Sequence, residues 1–292
     1  MQKIKNAFVF INAVFSKAST DKNLKKAELI LGLGSLAILL VAFLLMALII
    51  RFVGLLAPGL ILIGLVGIFG LVGLILWGEI TALAVCQACV SPAPEVTDES
   101  RDDLLAKVIS SHWIDAGVFT LSMPFLQAAS TIKQLFSSAR ELENAWMEAA
   151  NLVLPIISLD DLNLAAAIAR VKQVVHDNLM RFRSNFVPVE VVSRVIQWLA
   201  AAVGLASGVL VGLSIGEPAS SEPGQIFLGL GAALLVSGFF TAAGITFSVF
   251  VRACYQTALY QWVRNVESAR ESGETEKAAP PEILRQLLSK KI

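Results

Sequence analysis

The chain has 292 residues, of which 56% are hydrophobic and 16% charged, with a mean hydropathy of +0.72. Soluble domains carry about 25% charged residues, and burial rises too slowly with chain length for a globule to hide so much apolar surface. The 23 basic and 23 acidic residues cancel, which gives no general pull toward nucleic acid, and three cysteines are too few for a disulfide framework.

The charge is unevenly spread. No Lys or Arg falls between Arg51 and Arg101, or between Arg194 and Arg252. About 20 consecutive apolar residues cross a bilayer, so each gap holds one or two crossings. The fold class expected is all-α: a polytopic transmembrane helical bundle of four firm spans and a weaker central pair, with amphipathic helices on the cytoplasmic side.

Residues 1–26 form a basic amphipathic segment, with Lys3, Lys5, Lys17, Lys22, Lys25 and Lys26 against Asp21. Ile4, Phe8, Ile11 and Phe15 share one helical face at spacings of four, three and four. Two readings stand: a helix lying among anionic headgroups, or a helix docked on the protein's own cytoplasmic face. The apolar run is too short for a secretory signal, Lys17 interrupts it, and no small-residue cleavage site follows.

The bundle is expected over 27–262, with cytoplasmic connections at 91–112 and 158–190 and a cytoplasmic tail at 263–292. The first span covers about 27–50 and the second about 56–78. The second helix is expected to run on past Glu79 and Cys86-x-x-Cys89 until Pro92 and Pro94 stop it. The central segments are more polar. Residues 113–136 hold Asp115, Pro124 and Lys133, and 144–157 are short for a crossing. A thin hairpin, a re-entrant pair and helices packed on the cytoplasmic side all remain open. Asp160 and Asp161 are expected to cap a basic helix over 162–183, since a carboxylate there accepts orphan backbone N–H groups. Its apolar stripe is Leu164, Ile168, Val171, Val175, Leu179 and Phe182. The last two spans, about 192–215 and 225–251, flank a short acidic turn, and the final helix is expected to continue toward Arg270.

With four spans, only Arg51 of the 23 basic residues lies outside; with six, Lys133 and Arg140 join it. Either count puts both termini in the cytoplasm by the positive-inside rule.

The basic N-terminal helix, Trp146 leading to Leu152–Ile157, the acidic step Leu159–Asp161, the Ala-rich helix after it, Ala258–Trp262 and a Pro-containing tail follow one another in order. In this order the chain resembles a family of prokaryotic polytopic integral membrane proteins with no established activity. It is more distantly similar to the membrane core of choline-transporter-like proteins, a resemblance that implies transport.

Several motifs invite chemistry. Gly212-Leu213-Ser214-Ile215-Gly216 matches a serine-nucleophile pattern but ends an apolar helix, whereas that motif needs a strand-to-helix turn beside a His. Cys86-x-x-Cys89 suits a redox pair or half a metal site; a tetrahedral zinc needs about four ligands, and only Cys254, His112 and His176 remain. The plainer reading is two small packing residues. Glu79 and Arg252 both sit where a span reaches the inner interface, and suit an interfacial ion pair better than an ion pathway. Gly204, Gly208, Gly212 and Gly216 repeat every four residues, and Gly64, Gly67, Gly70 and Gly73 every three. Such rows let helix backbones approach in lipid. Gly231, Gly238 and Ala242 are the small face expected opposite the first row.

The function expected is a non-enzymatic scaffold or accessory subunit of a membrane complex, without cofactor or metal. It would be multi-pass in the cell membrane. Its partners would be the bilayer, with anionic lipid at the cytoplasmic face, and a membrane protein or a second copy. The alternative is a transporter or channel for a small solute, whose mark is polar groups converging at the midplane.

Overall fold

The structure is a computed structural model, and it describes residues 2–53, 57–90, 105–122, 151–185, 189–216, 223–273, 280–281 and 284. Among these residues every regular element is an α-helix: α1 (Gln2–Thr20), α2 (Lys22–Val53), α3 (Ala57–Cys89), α4 (105–122), α5 (Val153–Asp160), α6 (Leu164–Asn185), α7 (Val189–Ile215) and α8 (Pro223–Glu271). Four of them, α2, α3, α7 and α8, are long and apolar enough to cross a membrane. In α2 only 6% of the most apolar window is buried within the protein. Its Leu, Val and Ile side chains therefore require another apolar phase around them, which a bilayer supplies.

Asp21 separates α1 from α2. Its carboxylate accepts the N–H groups of Asn23 at 2.9 Å and Leu24 at 3.3 Å, so Lys22, Lys25 and Lys26 belong to the first membrane helix and not to the N-terminal one. Of the central pair, 123–150 lie outside the described residues. The part described as α5 has eight residues, rising about 12 Å, far short of a hydrocarbon core of about 30 Å.

The chain divides into two compact units. One comprises Leu29–Gly78 and Ser193–Val249, and the other Met1–Glu28, Glu79–Val192 and Phe250–Ile292.

In the first unit, small residues set the packing. A Cβ at Gly204 would fall 2.5 Å from that of Phe240, at Gly208 2.5 Å from the Ala233 carbonyl, and at Gly212 2.7 Å from the Gly229 carbonyl. The glycine row of α7 thus lies against α8 at backbone distance, and Ser237 Oγ donates to the Gly204 carbonyl at 3.1 Å. The face of α8 that meets it is Gly229, Ala233, Ser237 and Phe240, not the expected Gly231 and Gly238. Those two look toward α2, at Phe43 and Leu39. A helix advances about 100° per residue, so positions two apart point to nearly opposite sides. The three-residue row of α3 behaves differently. A Cβ at Gly67, Gly70 or Gly73 would lie 3.5, 3.2 and 3.5 Å from Met46, Ala42 and Ile38 of α2, whereas one at Gly64 would meet no atom of another helix within 4 Å among the described residues. Gly34 of α2 forms a slot for Trp77: any Cβ there would fall inside the indole ring, whose Nε1 donates to the Leu31 carbonyl at 3.2 Å.

In the second unit, α1 buries Ala7, Phe10, Ile11, Val14 and Ala18, with the Phe10 ring edge-on to Tyr255 at 5.3 Å. The expected stripe of Ile4, Phe8, Ile11 and Phe15 is split: Ile11 is buried and Phe15 meets the Phe250 ring at 5.8 Å, whereas Ile4 and Phe8 are exposed. The expected cap at Asp160 and Asp161 is also corrected. Asp160 ends α5, and Asp161 turns the chain in the left-handed region at φ 52, which Asp tolerates. Asn163 caps α6 instead, its Oδ1 accepting the Ala166 N–H at 2.9 Å, while Asp115 of α4 accepts the Leu164 N–H at 3.3 Å. On α6, Ala167, Val171 and Val174 are buried.

Candidate functional site

The thiols of the second unit meet where the C-terminal end of α3 lies against the C-terminal half of α8. Cys86 and Cys89 stand one turn apart on α3, hence on one face. That face meets α8: Cys89 Sγ lies 3.0 Å from Cys254 Sγ, and the Cys86 thiol points at the Ala253 carbonyl at 4.0 Å. All three cysteines are free thiols. Beside them opens a cavity of about 790 Å³, bounded by α1, α3 and α8 and lined by Asn12, Ser16, Lys17, Cys89, Cys254 and Gln261 among others. Lys17 Nζ donates to the Cys89 carbonyl at 3.1 Å, which places an ammonium at the cavity wall next to the thiol.

Glu79 and Arg252 are joined at 3.0 Å, each about four-fifths buried. The pair ties α3 to α8 one helix segment from the thiols. Three further clusters fix the remaining helices. Tyr260, fully buried on α8, donates its hydroxyl to Asp160, and Arg264 reaches the same carboxylate at 3.6 Å. Arg170 of α6 pairs with Glu267 of α8. Burial opposes the Arg170 charge, but Tyr260 and Glu267 more than offset it and hold the guanidinium above its ordinary pKa. His112 of α4 bonds Asp161 through Nε2 at 2.7 Å and faces Asp115 through Nδ1 at 3.6 Å. Ser158 Oγ of α5 donates to the Leu83 carbonyl of α3 at 2.8 Å.

The serine of the Gly212–Gly216 pattern is helical, and its hydroxyl donates back to the Val211 carbonyl at 2.8 Å. It therefore lacks the turn that would expose a nucleophile. Among the described residues no group of three or more His, Cys, Asp or Glu is arranged to hold a metal ion. The partners that sequence reasoning missed are Cys254 for Cys89, Asp161 for His112, and Asp160 for Tyr260. No periodic signal links them, because each pair joins helices remote in sequence. The chain matches no family model, no curated protein and no solved structure.

Proposed function

We propose that the protein is a non-enzymatic membrane scaffold or accessory subunit, multi-pass in the cell membrane with both termini cytoplasmic, that holds a second membrane protein. One observation carries the reading: α1 and α4 have each buried one apolar face and still display another. On α1, Ile4 and Phe8 are exposed beside Lys5, behind the docked Ala7, Phe10 and Val14. On α4, Trp113, Ile114, Val118 and Leu121 are each more than half exposed, behind the buried Leu105, Ala116 and Phe119. A helix that has met its own core and keeps so much apolar surface has a face left for another molecule. The N-terminal lysines add attraction to anionic lipid, about 1 kcal/mol for each cation near the headgroups. Two polar contacts described in the spans run between helices: Thr246 bonds Ser35 at 3.2 Å, and Ser237 bonds the Gly204 carbonyl.

The orientation rests on the concentration of Lys and Arg. In a Cys-free background, a cysteine at Ser220 should react with an impermeant thiol reagent in intact cells and one at Ser272 should not. Labelling at Ser272 would invert the topology.

Photo-crosslinking residues placed at Phe8 and Ile114 of the full-length protein test the scaffold role. Both should trap the same membrane protein in cells, and Phe8→Asp with Ile114→Asp should release it in mild detergent. Capture of lipid alone at both positions removes the partner. Saturable uptake of choline or another small solute into proteoliposomes replaces the scaffold with a transporter.

A further inference from the structure

The thiol cluster asks for an explanation that packing alone does not supply. Three cysteines are the whole complement of the chain, and the fold gathers them at one helix crossing. Cys89 and Cys254, 165 residues apart, lie with sulfurs 3.0 Å apart, whereas a formed bond is about 2.05 Å. Closing the gap needs a shift of about 1 Å, within the reach of side-chain rotation. The two thiols also differ in access. Both border the cavity, but Cys254 is 2% exposed while Cys89 is partly open. The Lys17 ammonium is held on the Cys89 carbonyl at the cavity wall. An accessible thiol with a shielded thiol behind it is the arrangement of an attacking and a resolving cysteine.

We propose that Cys89 and Cys254 are a reversible redox site, oxidised to a disulfide by a peroxide that enters the cavity. The Cys89 thiolate attacks one peroxide oxygen. The O–O bond breaks, hydroxide leaves and is protonated to water, and Cys89 becomes a sulfenic acid. Cys254 then gives up its proton and attacks the Cys89 sulfur. The S–S bond forms as the S–O bond breaks, and a second water departs. Two thiols are oxidised and hydrogen peroxide is reduced to two waters. The disulfide ties the C-terminal end of α3 to α8 at the wall of the cavity, and a dithiol reductant reopens it by exchange. A reducing compartment keeps the pair open until peroxide rises. This site is independent of the scaffold reading.

The test uses the reduced full-length protein in detergent, treated with hydrogen peroxide, denatured and mass-tagged with maleimide. Free thiols should fall from the three present to one, and dithiothreitol should restore all of them. Peptide mapping should recover a Cys89–Cys254 cross-link. Cys86→Ser should give the same cross-link with no free thiol left. Cys254→Ser should leave a Cys89 sulfenic acid that dimedone traps. Melting curves of the reduced variants separate a folding defect from a redox one. Retention of all free thiols, a Cys86–Cys89 cross-link, or over-oxidation without any cross-link each overturns the proposal.

Discussion

Gly208→Leu should destabilise the protein by on the order of 3 kcal/mol or more, at the upper end of overpacking costs. The α7–α8 contact leaves no room for even a methyl group. A Cβ at Gly208 meets the Ser237 hydroxyl and falls 2.5 Å from the Ala233 carbonyl, and backbone cannot rotate aside as a side chain can. Lipid offers no hydrophobic drive to hold helices together, so losing this close approach loses most of what joins them. Gly212→Leu should behave in the same way. Val209→Leu is the control on the same helix, because Val209 is about half exposed, and it should shift stability by no more than about 0.5 kcal/mol. Gly64→Leu is the control on the other glycine row and should be equally mild, since a Cβ there would meet no other described helix within 4 Å. Unfolding in mild detergent, by heat or by titration with a denaturing detergent, ranks the four. If Gly208→Leu and Val209→Leu unfold together, the groove is not a contact in the native protein.

Glu267→Arg should cost about 2–3 kcal/mol, and Arg170→Glu added to it should recover more than half of the loss. The side chains of Arg170 and Glu267 are about three-quarters buried, which sets the cost below that of a fully buried pair and above that of a surface one. Reversing one charge sets two guanidinium groups against each other at the junction of α6 with α8. Reversing both rebuilds the attraction with its sign exchanged, although Tyr260 then meets a carboxylate where it met a cation. The double-mutant cycle isolates the pair from general damage. Limited proteolysis within α6 supplies a second reading, since an undocked α6 opens locally. A double variant no more stable than Glu267→Arg alone would show that the pair does not dock the helix.

The four long apolar helices were legible because length, apolar runs and gaps in Lys and Arg are local signals. The continuation of α3 to Cys89 and of α8 to Glu271 followed from the same pattern. What escaped was direction. On α1, Phe8 and Phe10 both look suited to a core, and only tertiary contact decides that Phe10 is buried and Phe8 exposed. At the turn before α6, two aspartates outbid Asn163 by charge, yet Asp161 is needed to reverse the chain and Asp160 is taken by Tyr260 and Arg264. Gly231 and Gly238 are small and near the right place, but the helix turns them toward α2. In the candidate site, Glu79 and Arg252 stood out because charge beside a membrane span is rare. Cys254 did not stand out: a single cysteine in an apolar helix carries no hint that another helix presents Cys89 to it.

Gly34 and Trp77 form a single heritable character. The indole occupies the space that any side chain at position 34 would need, and its N–H reaches the Leu31 carbonyl. A lineage that enlarges residue 34 first must expel the ring. One that shrinks residue 77 first opens a void and removes a donor from that carbonyl. Neither change is neutral by itself, so drift at one position is blocked until the other moves. Across descendants of this chain the two positions should therefore be found exchanged together or not at all.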